Sequence, residues 1–291
     1  MKNFLTPAEL ITQSAVRVAG FCEQADEKIN KASVFVDELA FFKTEIRKIT
    51  SLDDVVNNAK LLKILAKSCM LSEKAQSHLT RRELLAILKN KIDFNRIDVS
   101  SYVEELSARF LLTCGDSLGG AMRNHVGQQA QTQLYQLIYE RLASTGKNPQ
   151  IETNRSGKII SIVTNERAYV FDKVPNFLNK SVDIIVLKPE FGKFDLHAPD
   201  TILACGELKG GIDPAGADEH WKTAKAALER VELFYKNSNK QIPKLIFIGA
   251  AIEIVMANEI CTMLENGKLF AAANLTNKVQ LDAIVYKLIS L

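Results

Sequence analysis

An acid and an amine stand two positions apart in the apolar segment Cys205–Gly211, and this spacing is the strongest chemical signal in the chain. Side chains two residues apart on a β-strand point to the same face, so Glu207 and Lys209 would lie side by side while Leu208 faces the core. Charges at the end of a buried strand need a partner or a metal ion. A bare Glu-x-Lys pair is also common on exposed edge strands, but the apolar surroundings favour a functional site here.

The preceding apolar run supplies a second carboxylate, Asp183. If the two strands form an antiparallel hairpin centred near residue 195, Asp183 lies opposite Glu207, and such cross-strand neighbours are about 5 Å apart. Asp200, which follows Pro199, is a rival, but it precedes Glu207 by seven residues on the same strand and would lie about 23 Å away. Asp195 would lie at the hairpin tip. We therefore expect Asp183 to complete the site.

Two carboxylates beside a lysine are suited to phosphodiester hydrolysis. Oxygen ligands favour Mg²⁺, which keeps several waters and accepts phosphate oxygens, so Asp183 and Glu207 are the predicted ligands of one or two such ions. The metal polarises the scissile phosphate and makes a bound water more acidic. Lys209 can hold that water and offset the negative charge that grows on the phosphorane oxygens.

A glycine pair and a histidine follow the lysine. Gly210 and Gly211 allow the backbone to approach a ligand closely, because they lack a side chain. His220 comes eleven residues after Lys209, on the next predicted helix, from which it can return to the site. There it would orient or deprotonate the attacking water. The alternative is a capping or packing histidine beside Trp221, the single tryptophan of the chain.

The part of the chain after residue 145 has the pattern of a mixed α/β core. Short apolar or β-branched runs bounded by Pro, Gly or Asn predict strands rather than short buried helices. The predicted strands are 158–168, 169–171, 181–187, 201–208 and 244–251. Helices are predicted at 215–236 and 253–266, and 279–290 is a closing element of uncertain type. This succession predicts the α/β (α+β) class with a mixed central sheet.

The motif residues together resemble a known nuclease core. Asp183 followed by Glu207-Leu208-Lys209 resembles the PD-(D/E)xK superfamily, with Val182 where that pattern often has proline. The stretch 206–224, Gly-Glu-Leu-Lys-Gly-Gly-Ile-Asp-Pro-Ala-Gly-Ala-Asp-Glu-His-Trp-Lys-Thr-Ala, is similar to type II restriction endonucleases of the AvaI/BsoBI type. In that type a histidine eleven residues past the lysine joins the catalytic centre, and His220 occupies the place here.

This resemblance implies a homodimer that cuts a short, largely palindromic site in double-stranded DNA, with Mg²⁺ as cofactor, and leaves 5′-phosphate ends. Its catalytic residues would be Asp183, Glu207, Lys209 and His220. Two other functions stay open at this point: a repair or recombination nuclease with the same core, and a non-catalytic DNA-binding protein with a degenerate core. The intact pair of acids and the lysine argue against the last.

Residues 1–113 are predicted to form a large helical region. A Ser or Thr followed three residues later by an acid marks helix starts at Thr6, Ser51 and Thr80. Nothing in this half alternates like a strand for long. We therefore divide the chain into a helical region, 1–113, for DNA embrace or dimer contacts, and an α/β nuclease domain, 114–291.

The Gly-rich segment 113–120 predicts a turn that feeds a helix over about 120–143. Arg123 and Asn124 would lie in the first turn of that helix, where phosphate binds readily. Arginine pairs well with guanine and asparagine with adenine, and Gln128 follows one turn later. The alternative is an ordinary turn between helices with a solvated polar end.

Other cations are candidates for DNA contact. Lys222 lies on the helix after the site, where it can track the DNA backbone or simply be exposed. A basic stretch in the helical region is a weaker candidate, because charge runs are usually solvated faces. It consists of Arg81, Arg82, Lys89, Lys91 and Arg96.

Composition and charge set further bounds. The 291 residues are 47% hydrophobic and 24% charged, which argues against wholesale disorder, and the net charge of +3 permits a nucleic-acid partner without demanding one. Five scattered cysteines without metal-ligand spacing argue against a disulfide framework or a zinc site. The sequence has no apolar run of membrane-spanning length, no recognisable signal peptide and no GxxxxGK(S/T) motif. We therefore expect a cytoplasmic protein without membrane association or a nucleotide cofactor.

Overall fold

The candidate residues lie on a mixed β-sheet in a computed structural model that describes residues 5–291, apart from the side chains of Arg123 and Asn124. Within that part of the chain the sheet has seven strands in sequence order. They are β1 (Gln150–Thr153), β2 (Ile159–Val163), β3 (Ala168–Lys173), β4 (Val182–Leu187), β5 (Ile202–Lys209), β6 (Lys244–Gly249) and β7 (Ala271–Asn274). Strands β1 to β5 pair antiparallel, and β6 and β7 continue the sheet parallel to β5. The mixed sheet confirms the predicted fold class.

Helices precede the sheet, connect its parallel strands and close the chain. They are α1 (Pro7–Leu10), α2 (Ser14–Glu45), α3 (Leu52–Val56), α4 (Ala59–Ser68), α5 (Glu73–Ser77), α6 (Arg81–Lys91), α7 (Ser100–Ser144), α8 (Ala217–Asn237), α9 (Ile254–Glu265) and α10 (Lys278–Ile289). The crossovers between β5, β6 and β7 are α8 and α9, because parallel neighbours cannot be joined by a tight turn. Among residues 5–291, no helix combines the length and apolar character that a bilayer crossing needs.

Capping boxes begin helices at the three places where the sequence predicts them. The backbone N–H of Thr6 donates to Glu9 Oε2 at 2.7 Å, and that of Thr80 donates to Glu83 Oε2 at 2.8 Å. Ser51 forms the same reciprocal arrangement at the start of α3. Each cap satisfies amide groups that have no partner within the helix.

Two helical layers cover the sheet. One apolar cluster joins α1, α8 and α9 to one face, and a second joins the C-terminal part of α7 and α10 to the other face. On β5, Cys205 belongs to the first cluster and Leu208 to the second. Because side chains alternate along a strand, Glu207 and Lys209 share the face of Cys205, which α8 and α9 cover.

The chain divides into two compact units, one formed by the residues up to Phe21 with His125–Leu291 and one by Cys22–Asn124. The second unit is helical, as predicted for that part of the chain. Its core contains the buried side chains Phe42, Leu65, Leu88 and Phe110. The boundary that we predicted at 113–114 lies inside α7, as does the division between the two units after Asn124.

The prediction of a turn at 113–120 was wrong. Helix α7 runs for 45 residues without interruption, and no glycine of this segment has the positive φ that favours glycine in turns. Phe110 and Cys114 are buried before the middle of the segment and Met122 is buried after it, while residues 115–121 are half-buried or exposed. Packing on both sides of the segment holds it within one helix, against the lower helix propensity of glycine, about 1 kcal/mol per residue. The helix start that we expected before Arg123 does not exist.

Candidate active site

Strands β4 and β5 bring the two predicted acids together. Ile184 pairs with Gly206 and Ile185 with Cys205 in an antiparallel register. One further step along this register places Asp183 opposite Glu207, which is the hairpin alignment predicted from the sequence. The alignment follows from two apolar runs whose inward and outward faces must match when the strands pair.

The three charged side chains of the motif form one hydrogen-bonded group. Lys209 Nζ donates to Glu207 Oε2 at 2.8 Å and lies 3.3 Å from Asp183 Oδ2. The backbone N–H of Leu208 donates to the same Asp183 oxygen at 2.8 Å. The arrangement places two carboxylates and one ammonium within reach of one small ligand.

The charges of these three side chains do not balance. The Glu207 side chain is 6% exposed, and burial together with the nearby Asp183 raises the pKa of Glu207 to about 7. Burial alone would lower the pKa of Lys209, but the two carboxylates outweigh it and raise that pKa, so the ammonium stays charged at neutral pH. One ammonium does not fully offset two ionised carboxylates, and the remaining negative charge favours a further cation.

The donor set fits a hard divalent cation. Asp183 and Glu207 offer carboxylate oxygens, the ligands that Mg²⁺ prefers, and Mg²⁺ commonly takes one or two carboxylates with water and phosphate oxygens. In the described part of the chain, no three or more His, Cys, Asp or Glu residues are grouped so that they could hold a metal ion. The acids would therefore share the ion with water or substrate oxygens rather than enclose it.

The glycine pair after Lys209 lets two helices approach the site. A Cβ atom at Gly210 would lie 2.5 Å from Ala130 Cβ on α7 and 2.9 Å from the Val126 carbonyl oxygen. A Cβ atom at Gly211 would lie 2.9 Å from His220 Cε1 on α8. Close approach, rather than a left-handed backbone, is thus the reason for glycine at both positions.

His220 lies in the first turns of α8 with its ring against the loop that follows the lysine. A Cβ atom at Gly216 would also contact this ring, at 3.5 Å from Cε1, so glycine backbone flanks the imidazole on two sides. The next residue, Trp221, fixes the helix: its Nε1 donates to Glu259 Oε2 on α9 at 2.5 Å. The imidazole is therefore positioned beside the motif by the packing of α8.

The two predicted DNA-contact side chains that the structure describes lie on different helices. Lys222 is exposed and pairs with Asp218 one turn earlier on α8, at 2.5 Å. Gln128 is exposed to solvent and lies in the middle of α7, far from either end of the helix. The side chains of Arg123 and Asn124 lie outside the described part of the structure, and their backbone is helix interior rather than a helix start.

One polar cluster next to the site was missed from the sequence. Asp172 on β3 contacts Gln131 on α7 and Lys158 ahead of β2. These residues come from three separate parts of the chain, so no local pattern joins them. The one available signal was the residue type, because aspartate tolerates the left-handed backbone better than most residues do.

Comparison with known proteins extends the match over the whole chain. The family model described as "Restriction endonuclease BsobI" matches residues 2–168 and 139–291. The chain is 33% identical over 298 aligned residues to the type II restriction enzyme AvaI of Nostoc sp. (strain PCC 7120 / SAG 25.82 / UTEX 2576), covering 95% of this chain and 94% of the relative. An AvaI enzyme from Anabaena variabilis has the same identity and coverage.

A third relative is the type II restriction enzyme BsoBI of Geobacillus stearothermophilus, 34% identical over 293 residues, with 91% of this chain and 90% of the relative aligned. Type II restriction enzymes generally need a divalent metal ion. That requirement agrees with the two carboxylates of Asp183 on β4 and Glu207 on β5, whose negative charge Lys209 alone does not fully offset. The family match and the relatives agree over nearly the full length, and the chain belongs to the BsobI restriction endonuclease family.

Proposed function

We propose that this restriction endonuclease hydrolyses one phosphodiester bond in each strand of a short, largely palindromic DNA site, with Mg²⁺ held by Asp183 and Glu207. As a member of its family the chain is a sequence-specific deoxyribonuclease that acts on DNA. The proposal on mechanism rests on one observation, the convergence of Lys209 Nζ on both acids at 2.8 and 3.3 Å. Together, Asp183, Glu207 and Lys209 would bind a cation, a phosphate oxygen and a water molecule.

Each side chain has a separate role in this reaction. Bound Mg²⁺ would polarise the scissile phosphate and acidify a water. Lys209 holds a charged ammonium beside the acids, where it offsets the negative charge that develops on the phosphorane oxygens. His220 orients the attacking water or takes its proton. Departure of the 3′ oxygen then leaves a 5′-phosphate end.

A homodimer is the simplest way to cut both strands of such a site. A palindrome has two-fold symmetry, and two copies related by the same axis present one active site to each strand. A palindromic site therefore predicts that the protein binds it as a dimer. Sedimentation of the protein alone and with a cognate duplex measures this state directly, with two chains per duplex as the expected result.

DNA contacts are proposed for both units. In the helical unit a cavity of about 520 Å³ is lined by four cations and two acids, and the Arg96 guanidinium stacks on the Tyr102 ring at 4.7 Å. The cations are Lys89, Lys91, Arg96 and Arg109, and the acids are Asp93 and Glu105. The excess of cations at this surface suits the DNA backbone. The other candidates for base or backbone contact stay Arg123 and Asn124 at the end of the helical unit, and Gln128 and Lys222 on the catalytic unit.

Incubation of the purified protein with plasmid and Mg²⁺ tests the proposed function. Discrete bands, with 5′-phosphate ends at one repeated sequence, are the expected result. Smearing or loss that starts from DNA ends would instead indicate a repair or recombination nuclease. Binding without any cleavage would indicate a DNA-binding protein with an inactive core. Lys236→Ala, at an exposed lysine on α8 that pairs with Glu232, is the matched control for substitutions of Lys209.

A further inference from the structure

Asp172 interrupts β3 directly across from the catalytic aspartate. Phe171 pairs with Ile184 and Lys173 with Val182, so Asp172 stands between these pairs, opposite Asp183. Its φ is +51°, the left-handed region. Residues other than glycine rarely adopt it, and a left-handed residue costs about 1–2 kcal/mol. A strained residue at this position needs a structural reason.

The left-handed backbone changes the face on which this carboxylate lies. In a regular antiparallel pair, Asp172 and Asp183 would project to the same face, with their Cβ atoms about 5 Å apart. A third carboxylate would then stand beside the buried acids of the site. Instead, the Asp172 carboxylate meets the α7 side of the sheet.

Three side-chain bonds hold Asp172 there. Gln131 Nε2 on α7 donates to both carboxylate oxygens of Asp172, at 2.9 and 2.8 Å. Lys158 Nζ donates to Oδ2 at 2.5 Å. The amide and the ammonium offset the charge of a carboxylate that packing has turned away from the catalytic face. We call these three residues the Asp172 clamp.

The same stretch of α7 also packs against Phe171, the residue before Asp172 on β3. Tyr135, one turn after Gln131, stacks on Phe171 with ring centroids 3.7 Å apart. Its buried hydroxyl has no hydrogen-bond partner in the described structure. Burial raises the pKa of Tyr135, and Asp172 and Asp183 both add to this rise, so the hydroxyl lies within electrostatic reach of both acids. α7 therefore packs at the border of β3 and β4 where the catalytic aspartate stands.

We propose that Asp172 is a positioning residue for Asp183. The Asp172 clamp keeps a third carboxylate off the catalytic face and fixes the segment of β3 against which Asp183 is aligned. Asp183 and Glu207 then keep the spacing at which they share one cation. The inference rests on the proposed role of these two acids as metal ligands.

Substitutions at Asp172 and Gln131 distinguish the effect of the left-handed backbone from the effect of the Asp172 clamp. Asp172→Asn retains a residue that tolerates the left-handed backbone and can bond Gln131, so it should stay close to the wild-type rate. Asp172→Ala removes both features, and Gln131→Ala loosens the clamp without changing the sheet. A misplacement of about 1 Å at a reacting centre can cost about 10²-fold in rate, so we expect about that loss for Asp172→Ala and a smaller loss for Gln131→Ala. Gln136→Ala, at an exposed residue of α7 that bonds Glu140, is the control.

The decisive readouts are Mg²⁺ affinity by calorimetry without DNA and single-turnover cleavage across a Mg²⁺ titration. We expect weaker Mg²⁺ binding and a higher half-saturating Mg²⁺ concentration for Asp172→Ala and Gln131→Ala, with DNA affinity in Ca²⁺ unchanged and rescue in Asp172→Asn. Wild-type Mg²⁺ affinity in both variants would overturn the inference. So would losses of Mg²⁺ affinity, DNA affinity and thermal stability in equal measure, because those indicate general destabilisation. Failure of the proposed function is distinct: the wild-type protein would bind Mg²⁺ and cleave no DNA.

Discussion

The backbone N–H of Leu208 donates to Asp183 Oδ2 at 2.8 Å. Strand β5, which carries Glu207 and Lys209, thereby holds Asp183 of β4 through a main-chain group. Such a group cannot rotate away as a side chain can. Lys209 approaches the same oxygen from the side, at 3.3 Å. The site is thus assembled by the sheet register, and substitutions of the charged groups should change chemistry more than architecture.

Lys209→Ala should slow cleavage severely and spare DNA binding. The ammonium would be lost where charge develops on the phosphate, and removal of one such group costs about 10²–10³-fold in rate. DNA binding depends on groove and backbone contacts elsewhere. Single-turnover cleavage in Mg²⁺ and gel-shift affinity in Ca²⁺ measure the two effects. Cleavage near the wild-type rate would remove Lys209 from the mechanism, and the Lys236→Ala control should match the wild type in both assays.

Gly211→Ala should impair the reaction by displacing His220. The new Cβ would meet His220 Cε1 at 2.9 Å, so the ring must shift away from the loop. His220→Ala should slow the chemical step by about 10²-fold, the common scale for a general acid or base. If both act through the imidazole, the double variant should be little slower than His220→Ala alone. Additive losses would place the effect of Gly211 elsewhere. Gly115→Ala is the matched control, since its Cβ would meet nothing within 4 Å.

Glu207→Gln should stabilise the metal-free protein at neutral and alkaline pH. The pKa of Glu207 rises from 4.5 to about 7 on folding, so the folded chain holds this proton more tightly than the unfolded chain does. Its contribution to the unfolding free energy is therefore present below pH 4.5 and is lost as pH rises towards 7. In the glutamine variant this loss does not occur, so we expect it to be more stable than the wild type by about 3 kcal/mol at pH 8, with little difference at pH 4.

Urea denaturation in the presence of a chelator measures that difference. Adding Mg²⁺ should stabilise the wild-type protein at pH 8 and have a weaker effect on the variant, because a ligand that binds only the folded state stabilises it. Equal stabilities of the two proteins at both pH values would show that Glu207 is not held in a destabilising environment.

Lys91→Ala should weaken DNA binding evenly across sequences if the cavity of the helical unit contacts the DNA backbone. Removal of one phosphate contact lowers the slope of log affinity against log salt by about 0.9. Fluorescence anisotropy at several salt concentrations, with cognate and unrelated duplexes, gives that slope. Lys74→Ala, an exposed lysine on α5, is the control. A loss confined to the cognate duplex would instead assign Lys91 to base recognition.

The hairpin formed by β4 and β5 could be predicted from the sequence, because both strands are apolar runs and only one register matches their faces. Placing Asp183 opposite Glu207 required only the alternation of side chains and a hairpin centre. In contrast, β7 is the short run Ala271–Asn274, whose alanines carry no strand signal, and it is a strand because β6 pairs with it. Tertiary pairing therefore decided an element that local preference did not.

Glycine content misled the prediction for α7. Gly115 and Gly119 indicated a turn, but the buried residues on either side of them, Cys114 and Met122, lie on one continuous helix. The left-handed backbone of Asp172 could not be predicted either, since its side chain is held by Gln131, 41 residues earlier in the chain. Both cases show burial and long-range contacts outweighing local preference at positions next to the functional part of the molecule.

The central claim is that Asp183, Glu207 and Lys209 act on one hydrated divalent ion. Crystals of the protein with its DNA, soaked in Mn²⁺, test it through the anomalous difference density. A peak in contact with both carboxylates and with a DNA phosphate oxygen is the predicted result. A peak bound elsewhere, or acids that lie apart with no peak between them, would contradict the account.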